Sequence, residues 1–87
     1  MSPEMLRDML TTNFVQLRLR QELPPDMAEL SRTALSAIPH ITDIDELGAL
    51  AYEARGQLDL SHSAYSSFWF MVLCEKILRH AKDSISA

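Results

Sequence analysis

The longest uninterrupted apolar run of the sequence extends from Phe68 to Cys74. At 3.6 residues per turn, seven consecutive side chains of a helix point in every direction, so one apolar stripe cannot cover them all. The run therefore predicts a helix that is buried on several sides and lies at the centre of its domain. It is too short to span a membrane, which takes about 18 or more apolar residues.

The composition favours a small helical domain. The 87 residues suit one domain, 1–87, and two glycines and four prolines are too few for many short strands and turns. The net charge of −4 disfavours a general nucleic-acid binder, which normally carries a basic face. The single cysteine excludes an internal disulfide. The N-terminus lacks the pattern of a secretory signal, so we expect a cytoplasmic protein without membrane association.

The first helix is predicted from Pro3 to about Leu23, with Ser2 as its N-cap. The triplet Thr11–Asn13 forms helix poorly, because short polar side chains compete for backbone hydrogen bonds, and a break there is an alternative to one continuous helix. Apolar and polar residues then alternate over residues 14–20, which is the period of a half-buried strand. Helix is the favoured prediction for this segment, and strand is the alternative.

Two middle helices follow. Pro25 opens the second helix, and Pro39 ends it. The third begins after the N-cap Thr42 and ends where Gly56 adopts left-handed geometry. Small residues on the third helix predict close contact with a neighbouring helix: Gly48, Ala51 and Ala54.

The last helix is predicted from the N-cap Ser61 to about Lys82. A chain of this length buries only about 60–65% of its unfolded surface, so one thin core accommodates all its large apolar residues with difficulty. They form either the core of a monomer or an interface shared between chains, since aromatic residues and Met are enriched in both. The candidate interface or core residues are Tyr65, Phe68, Trp69, Phe70, Met71, Leu73 and Ile77.

The sequence predicts no catalytic, metal-binding or cofactor-binding site. His40, His62 and His80 are 22 and 18 residues apart, and none has a second ligand at i+3 or i+4 of a helix. Two glycines cannot form a phosphate-binding or dinucleotide fingerprint. Cys74 lies within the apolar run and is interpreted as a small core residue. We therefore expect a protein that is not an enzyme and binds no cofactor.

Charge is uneven along the chain. Between Glu22 and Asp59, eight acidic and two basic residues give −6, whereas the segments before and after give +1 each. A solvated outer face is the favoured interpretation of the acidic middle helices. A docking surface for a basic partner is the alternative, because charge complementarity speeds and orients encounter.

The order of elements from Phe14 onward, an alternative strand and then two helices, resembles that of ribbon-helix-helix repressors. In that family, strands from two chains pair and lie in the major groove of DNA. The resemblance implies a DNA-binding transcriptional regulator in which Gln16, Arg18 and Arg20 would be the exposed readers. It covers only residues 14–56 and is a pattern of periods, without a specific motif.

The sequence as a whole predicts an all-α fold, a small four-helix bundle with antiparallel neighbours, short connections and the last helix central. The expected function is that of a non-enzymatic protein–protein interaction module, regulatory or like a chaperone or adaptor, acting through helix packing. Its expected partner is a second copy, giving a homodimer, or a larger protein. A purely structural subunit or assembly factor is an alternative that the sequence does not separate from this function.

Overall fold

Four α-helices and one short 3₁₀ helix make up the described chain. The computed structural model describes residues 2–60 and 66–86. The helices are α1 at Pro3–Leu19, α2 at Pro25–Ala37, α3 at Ile44–Asp59 and α4 at Ser66–Ser86, with the 3₁₀ helix η1 at Ile38–His40. These residues contain no strand, and the predicted all-α four-helix bundle is confirmed.

α1 begins where the sequence predicts and ends earlier. The Ser2 side chain accepts a hydrogen bond from the backbone N–H of Met5 at 3.2 Å, and Pro3 takes the first helical position. The predicted N-cap is therefore confirmed. The helix ends at Leu19, and residues 20–24 connect it to α2.

α1 is continuous through Thr11–Asn13, so the alternative of a break there is wrong. The apolar face of α1 packs against α3, and this contact is the most extensive between any two described elements. Three of its side chains, Leu10, Phe14 and Leu17, are almost completely buried. Burying such a face stabilises a helix by far more than the few tenths of a kcal/mol by which Thr and Asn disfavour it. The alternative of a strand at residues 14–20 is also wrong, since these residues form the last turns and the C-cap of α1.

Because residues 14–20 are not a strand, the chain lacks the strand that reads DNA in ribbon-helix-helix repressors. Arg20, which would read DNA in such a ribbon, donates a hydrogen bond from Nη1 to the backbone oxygen of Leu58 at 3.2 Å. A helical α1 cannot supply the paired strands on which that mode of DNA recognition depends.

Proline marks both ends of α2, as predicted. Pro25 is its first residue, and the 3₁₀ helix that contains Pro39 follows its last residue, Ala37. The N-cap of α3 differs from the prediction, because it is Asp43 and not Thr42. The Asp43 carboxylate accepts hydrogen bonds from the backbone N–H groups two and three residues further on, at 2.8 and 3.1 Å. A carboxylate also complements the positive end of the helix dipole, which a hydroxyl does not.

Gly56 does not end α3, and this prediction is wrong. The helix continues to Asp59, and neither glycine of the chain has a positive φ. Leu58 is buried and extends the apolar face of α3 by a further turn, so burial carries the helix past the glycine. The C-cap is Leu60, whose backbone N–H bonds to the carbonyl oxygens of Gly56 and Gln57 at 3.2 and 3.1 Å.

The helices do not pack in the order in which they follow one another. α1 and α3 form the most extensive contact, although α2 separates them in sequence. Arg7 Nε donates to the backbone oxygen of Ile41, just before α3, at 3.0 Å, and Arg20 reaches Leu58 at the other end. α1 and α3 therefore run in the same direction, contrary to the expectation of antiparallel neighbours.

α3 and α4 do pack as antiparallel neighbours. Near the start of α3, Glu46 Oε2 lies 3.1 Å from Nδ1 of His80, in the last third of α4. Near the end of α3, Gln57 Nε2 donates to the backbone oxygen of Trp69, at the beginning of α4, at 2.9 Å. Positions that advance along α3 therefore meet positions that go back along α4.

One buried stripe of α4 enters the shared hydrophobic core. Its residues recur at helical spacing: Phe70, Leu73, Cys74, Ile77 and Ala81. α4 packs against α2, α3 and η1, and the rings of Phe14 and Phe70 join it to α1 with centroids 5.1 Å apart. α4 thus contacts every other helix. The expectation that the whole apolar run is buried on several sides is wrong, because only this stripe is enclosed.

Candidate functional site

The structure divides the predicted residues of α4 into a buried and an exposed set. Three are fully buried in the core: Phe70, Leu73 and Ile77. Met71 is partly buried and packs against that core. Phe68 and Trp69 are 62% and 53% exposed, although they belong to the same apolar run. Tyr65 and the predicted N-cap Ser61 lie outside the described residues.

Phe68 and Trp69 form an aromatic pair at the start of α4. Their ring centroids are 5.3 Å apart, and the ring planes meet at 77° in an edge-to-face arrangement. The backbone beneath the pair is held on both sides. Gln57 Nε2 of α3 donates to the Trp69 carbonyl, and Ser67 Oγ donates to Gln21 Oε1 at 2.8 Å. The aromatic pair is therefore presented by an anchored turn of helix.

A groove of about 610 Å³ lies beside Trp69, and we name it the α3–α4 groove. Its apolar lining comes from α1, α3, the C-cap of α3 and α4: Leu17, Ala49, Tyr52, Gly56, Leu60 and Trp69. Tyr52 and Leu60 are themselves largely exposed. The only polar lining residues of the described chain are Glu53 and Gln57. The sequence prediction included Trp69 but missed the α3 side of this groove.

A second groove of about 570 Å³, the α1–α3 groove, lies on the other side of Tyr52. Its lining is more polar and includes Asp8, Thr12, Asn13 and Arg55. Tyr52 lines both grooves and is 82% exposed, so it forms the ridge between them.

The small residues of α3 lie in two environments. Ala51 and Ala54 are buried in the core. Gly48 lines the α1–α3 groove, and a Cβ added there would meet no heavy atom within 4 Å among the described residues. The described part of the chain therefore gives no packing reason for glycine at position 48. Ala51 and Ala54 lie on the inward face of α3, where small side chains allow another helix to approach closely.

An ion pair neutralises Glu53, the one charged residue in the described lining of the α3–α4 groove. Glu53 Oε1 lies 2.6 Å from Lys76 Nζ. A second ion pair joins Asp59 Oδ1 to Arg55 Nε at 3.9 Å, and Arg55 lines the α1–α3 groove. Glu53 Oε2 and Gln57 Oε1 are buried acceptors that have no hydrogen-bond partner in residues 2–60 and 66–86. An acceptor left without a donor in a buried place costs about 1–3 kcal/mol.

Cys74 is the only cysteine of the chain, and it lies in the hydrophobic core. Burial raises the pKa of the Cys74 thiol from its ordinary value of 9.0 to about 12, so the thiol is neutral in the core. Among the residues that the structure describes, no cluster of three or more His, Cys, Asp or Glu could hold a metal ion. None of the described helices has the length and apolarity needed to cross a membrane.

Apart from Asp59, which precedes the groove-lining Leu60, the exposed acidic residues of the middle helices lie away from the α3–α4 groove. Asp26 is in the first turn of α2, and Asp43 and Asp45 are at the start of α3, the opposite end from Gly56 and Leu60.

No protein-family model matches this chain, and neither a curated protein nor a solved structure is significantly similar to it.

Proposed function

We propose that this chain is a non-enzymatic protein–protein interaction module of a regulatory or adaptor kind, and that it acts through packing against the α3–α4 groove. The observation that carries this proposal is the aromatic pair Phe68 and Trp69, more than half exposed beside an apolar groove. Contiguous exposed apolar surface with a polar rim is typical of protein interaction sites. The partner is a protein surface that covers these side chains.

The composition of the surface supports binding of a protein over binding of a nucleic acid. Tyr and Trp are enriched at the centres of protein interfaces, where they supply large contact areas with few rotatable bonds. A phosphate backbone requires a basic surface. The one charged residue in the described lining of this groove is Glu53, which Lys76 neutralises, and the whole chain carries −4.

The anchored backbone supports a preformed site. The turn of α4 that presents Trp69 is tied to Gln57 of α3, and the pair therefore keeps its position without a partner. A preformed anchor loses less conformational entropy on binding than a mobile one, which raises affinity. The core beneath the site is formed by Phe70 and its neighbours, so the site and the fold depend on different side chains of α4.

The test compares capture by three versions of the purified chain. The bait is wild type, Phe68→Ala, or the control Met5→Ala, which removes an exposed apolar side chain outside both groove linings. Captured proteins from an extract of the native host are identified by mass spectrometry. Direct titration of each purified candidate, or of the chain itself, then uses Trp69 fluorescence, because this is the only tryptophan.

The proposal predicts a partner, self or other, whose binding shifts Trp69 emission to shorter wavelength. We expect Phe68→Ala to weaken that binding at least about 30-fold, which corresponds to a hot-spot loss of about 2 kcal/mol. We expect Met5→Ala to bind like wild type. A partner that binds wild type and Phe68→Ala equally would contradict this location of the site, and so would binding that leaves Trp69 emission unchanged.

A further inference from the structure

The two glycines of α3 have no explanation within the described chain. Glycine inside a helix costs roughly 0.5–1 kcal/mol relative to alanine. Neither Gly48 nor Gly56 has a positive φ, and a Cβ at either position would meet no described heavy atom within 4 Å. Each glycine therefore leaves open space above the helix, and neither the backbone conformation nor the packing of the described residues requires a glycine there.

Tyr52 stands midway between these glycines, at i+4 from Gly48 and i−4 from Gly56. Residues at this spacing form one row along a helix surface. The row presents an exposed aromatic side chain, which lines both grooves, with a gap on each side of it. A projecting ring next to a gap on the same face allows that face to pack against a copy of itself.

We infer that the occupant of the α3–α4 groove is a second copy of this chain, related by a two-fold axis that passes between the two α3 helices. The two α3 helices pack antiparallel, and Tyr52 of each copy inserts beside Gly56 of the other. This inference rests on the proposed function and specifies its partner. A two-fold interface uses the same patch on both subunits, so each insertion occurs twice.

The polar tip of Tyr52 suits the wall of the groove. Glu53 Oε2 and Gln57 Oε1 lack a hydrogen-bond partner among the described residues, and both residues line the groove beside Gly56. Both atoms are acceptors, so the groove calls for an apolar side chain that ends in a donor. Tyrosine combines an aromatic body with a hydroxyl donor. Because both oxygens are buried in the single chain, the Glu53 or Gln57 side chain turns towards the groove when Tyr52 is inserted, and the hydroxyl then donates to its oxygen.

Charge around the groove favours a copy of the chain over a basic partner. Glu53 is the one charged residue in the described lining of the groove and Lys76 of the same chain neutralises it, so two copies meet there without strong repulsion even though each carries −4.

The exposed apolar area is of the right size to anchor such a dimer. Tyr52, Phe68 and Trp69 expose 82%, 62% and 53% of their surface. With about 200 Å² for each aromatic side chain, they offer roughly 400 Å². A standard interface buries about 800 Å² per partner, so the aromatic residues supply about half of it and the groove walls the remainder. An interface of about 800 Å² per partner would cover roughly one-seventh of the 5512 Å² surface of the chain.

The α3–α4 groove accepts the ring better than the α1–α3 groove beside Gly48. The latter is lined by four polar side chains, which an inserted ring would separate from water. The two glycines therefore provide a matched pair of test positions. Both are helical and open, but only Gly56 lies in the groove assigned to Tyr52.

The test measures the mass of the chain by light scattering and sedimentation over a wide concentration range. The variants are Gly56→Leu, which fills the groove, the control Gly48→Leu, and Tyr52→Phe, which removes only the hydroxyl. Thermal unfolding by circular dichroism verifies that each variant is folded. Both leucine variants are expected to fold, because leucine forms helix better than glycine and meets open space.

We expect a wild-type dimer whose dissociation constant rises at least about 30-fold in Gly56→Leu, a hot-spot effect, and by less than about 3-fold in Gly48→Leu. For Tyr52→Phe we expect a rise of about 10-fold or more, from the lost hydrogen bond to a groove oxygen. A monomeric wild type at millimolar concentration overturns the inference but leaves the proposed function intact if another protein binds at Phe68. A dimer weakened equally by both leucine variants, or by neither, overturns the two-fold arrangement.

Discussion

The same substitution at two positions of α4, two residues apart, should lower the stability of the fold by very different amounts. Phe68 is 62% exposed and Phe70 is completely buried. Replacing each with alanine removes the same atoms from the same helix and gives the same gain in helix propensity. The difference in unfolding free energy between the variants therefore reports the difference in burial alone.

The magnitudes follow from the buried area. The covered 38% of Phe68 amounts to roughly 80 Å², or about 2 kcal/mol at 25 cal/mol per Å². A compact unfolded chain and the better helix propensity of alanine reduce this to about 1 kcal/mol. For Phe70→Ala we expect a loss of about 3–5 kcal/mol, because full burial and the cavity left against Phe14 both contribute.

The assay is reversible thermal and urea unfolding of both variants beside wild type, at a concentration low enough for the chain to be monomeric. In a domain of this size, 1 kcal/mol shifts Tm by about 4–8 °C, so Phe68→Ala should melt within roughly 8 °C of wild type. Phe70→Ala should melt at least about 12 °C lower. Losses within about 1 kcal/mol of each other, or a larger loss for Phe68→Ala, would refute the division of α4 into a core stripe and an exposed pair.

The remaining predictions concern the helix caps, the glycines and the thiol. Asp43→Ala should lower the unfolding free energy by about 1 kcal/mol, whereas Thr42→Ala should change it little, and urea unfolding that gives equal losses would contradict the assignment of the cap. Gly48→Ala and Gly56→Ala should each stabilise the monomer by roughly 0.5–1 kcal/mol, since a methyl group meets open space, and a destabilised variant would indicate strain. Because the folded pKa of Cys74 lies above the ordinary 9.0, its stability contribution is complete below pH 9 and decreases as pH rises towards 12. Cys74→Ala should therefore lose less stability than wild type between pH 9 and 11, and an identical pH dependence of urea unfolding would refute this.

The order of the helices followed from local signals in the sequence, and these signals act at short range. Ser2, Pro25 and Pro39 fix helix ends through a cap or a missing backbone donor, and the structure has each of them at the predicted end. Where two local signals compete, the sequence alone misleads. Thr42 and Asp43 are both good N-caps, and the structure has Asp43 at the cap.

Tertiary packing decided what the sequence could not. Periodicity suggested a strand at residues 14–20, but burial of Phe14 and Leu17 against α3 requires the helical spacing. Gly56 carries a strong stop signal, and the buried Leu58 two residues later overrides it. In both cases, contacts distant in sequence outweigh a preference of a fraction of a kcal/mol.

The candidate site could be predicted only in part. The run from Phe68 to Cys74 identified the right helix, but not which of its residues the other helices would leave uncovered. That depends on the rotation of α4 about its axis, which is set by Phe14 and the other core residues that contact it. Tyr52 and Leu60 carry no individual signal, because single exposed apolar residues are common on protein surfaces.

The parallel packing of α1 on α3 also determines when this protein can fold during its synthesis. The apolar face of α1 is complete at Leu19, but the surface that covers it is complete only at Asp59, 40 residues later. At about 5–20 residues per second, the ribosome needs roughly 2–8 seconds for that interval. During it, only α2 and η1 are available to cover Leu10, Phe14 and Leu17, and both contact α1 far less than α3 does. The nascent chain thus exposes the apolar face of α1 until α3 is complete, and chaperones that bind emerging apolar segments would act on it in this interval.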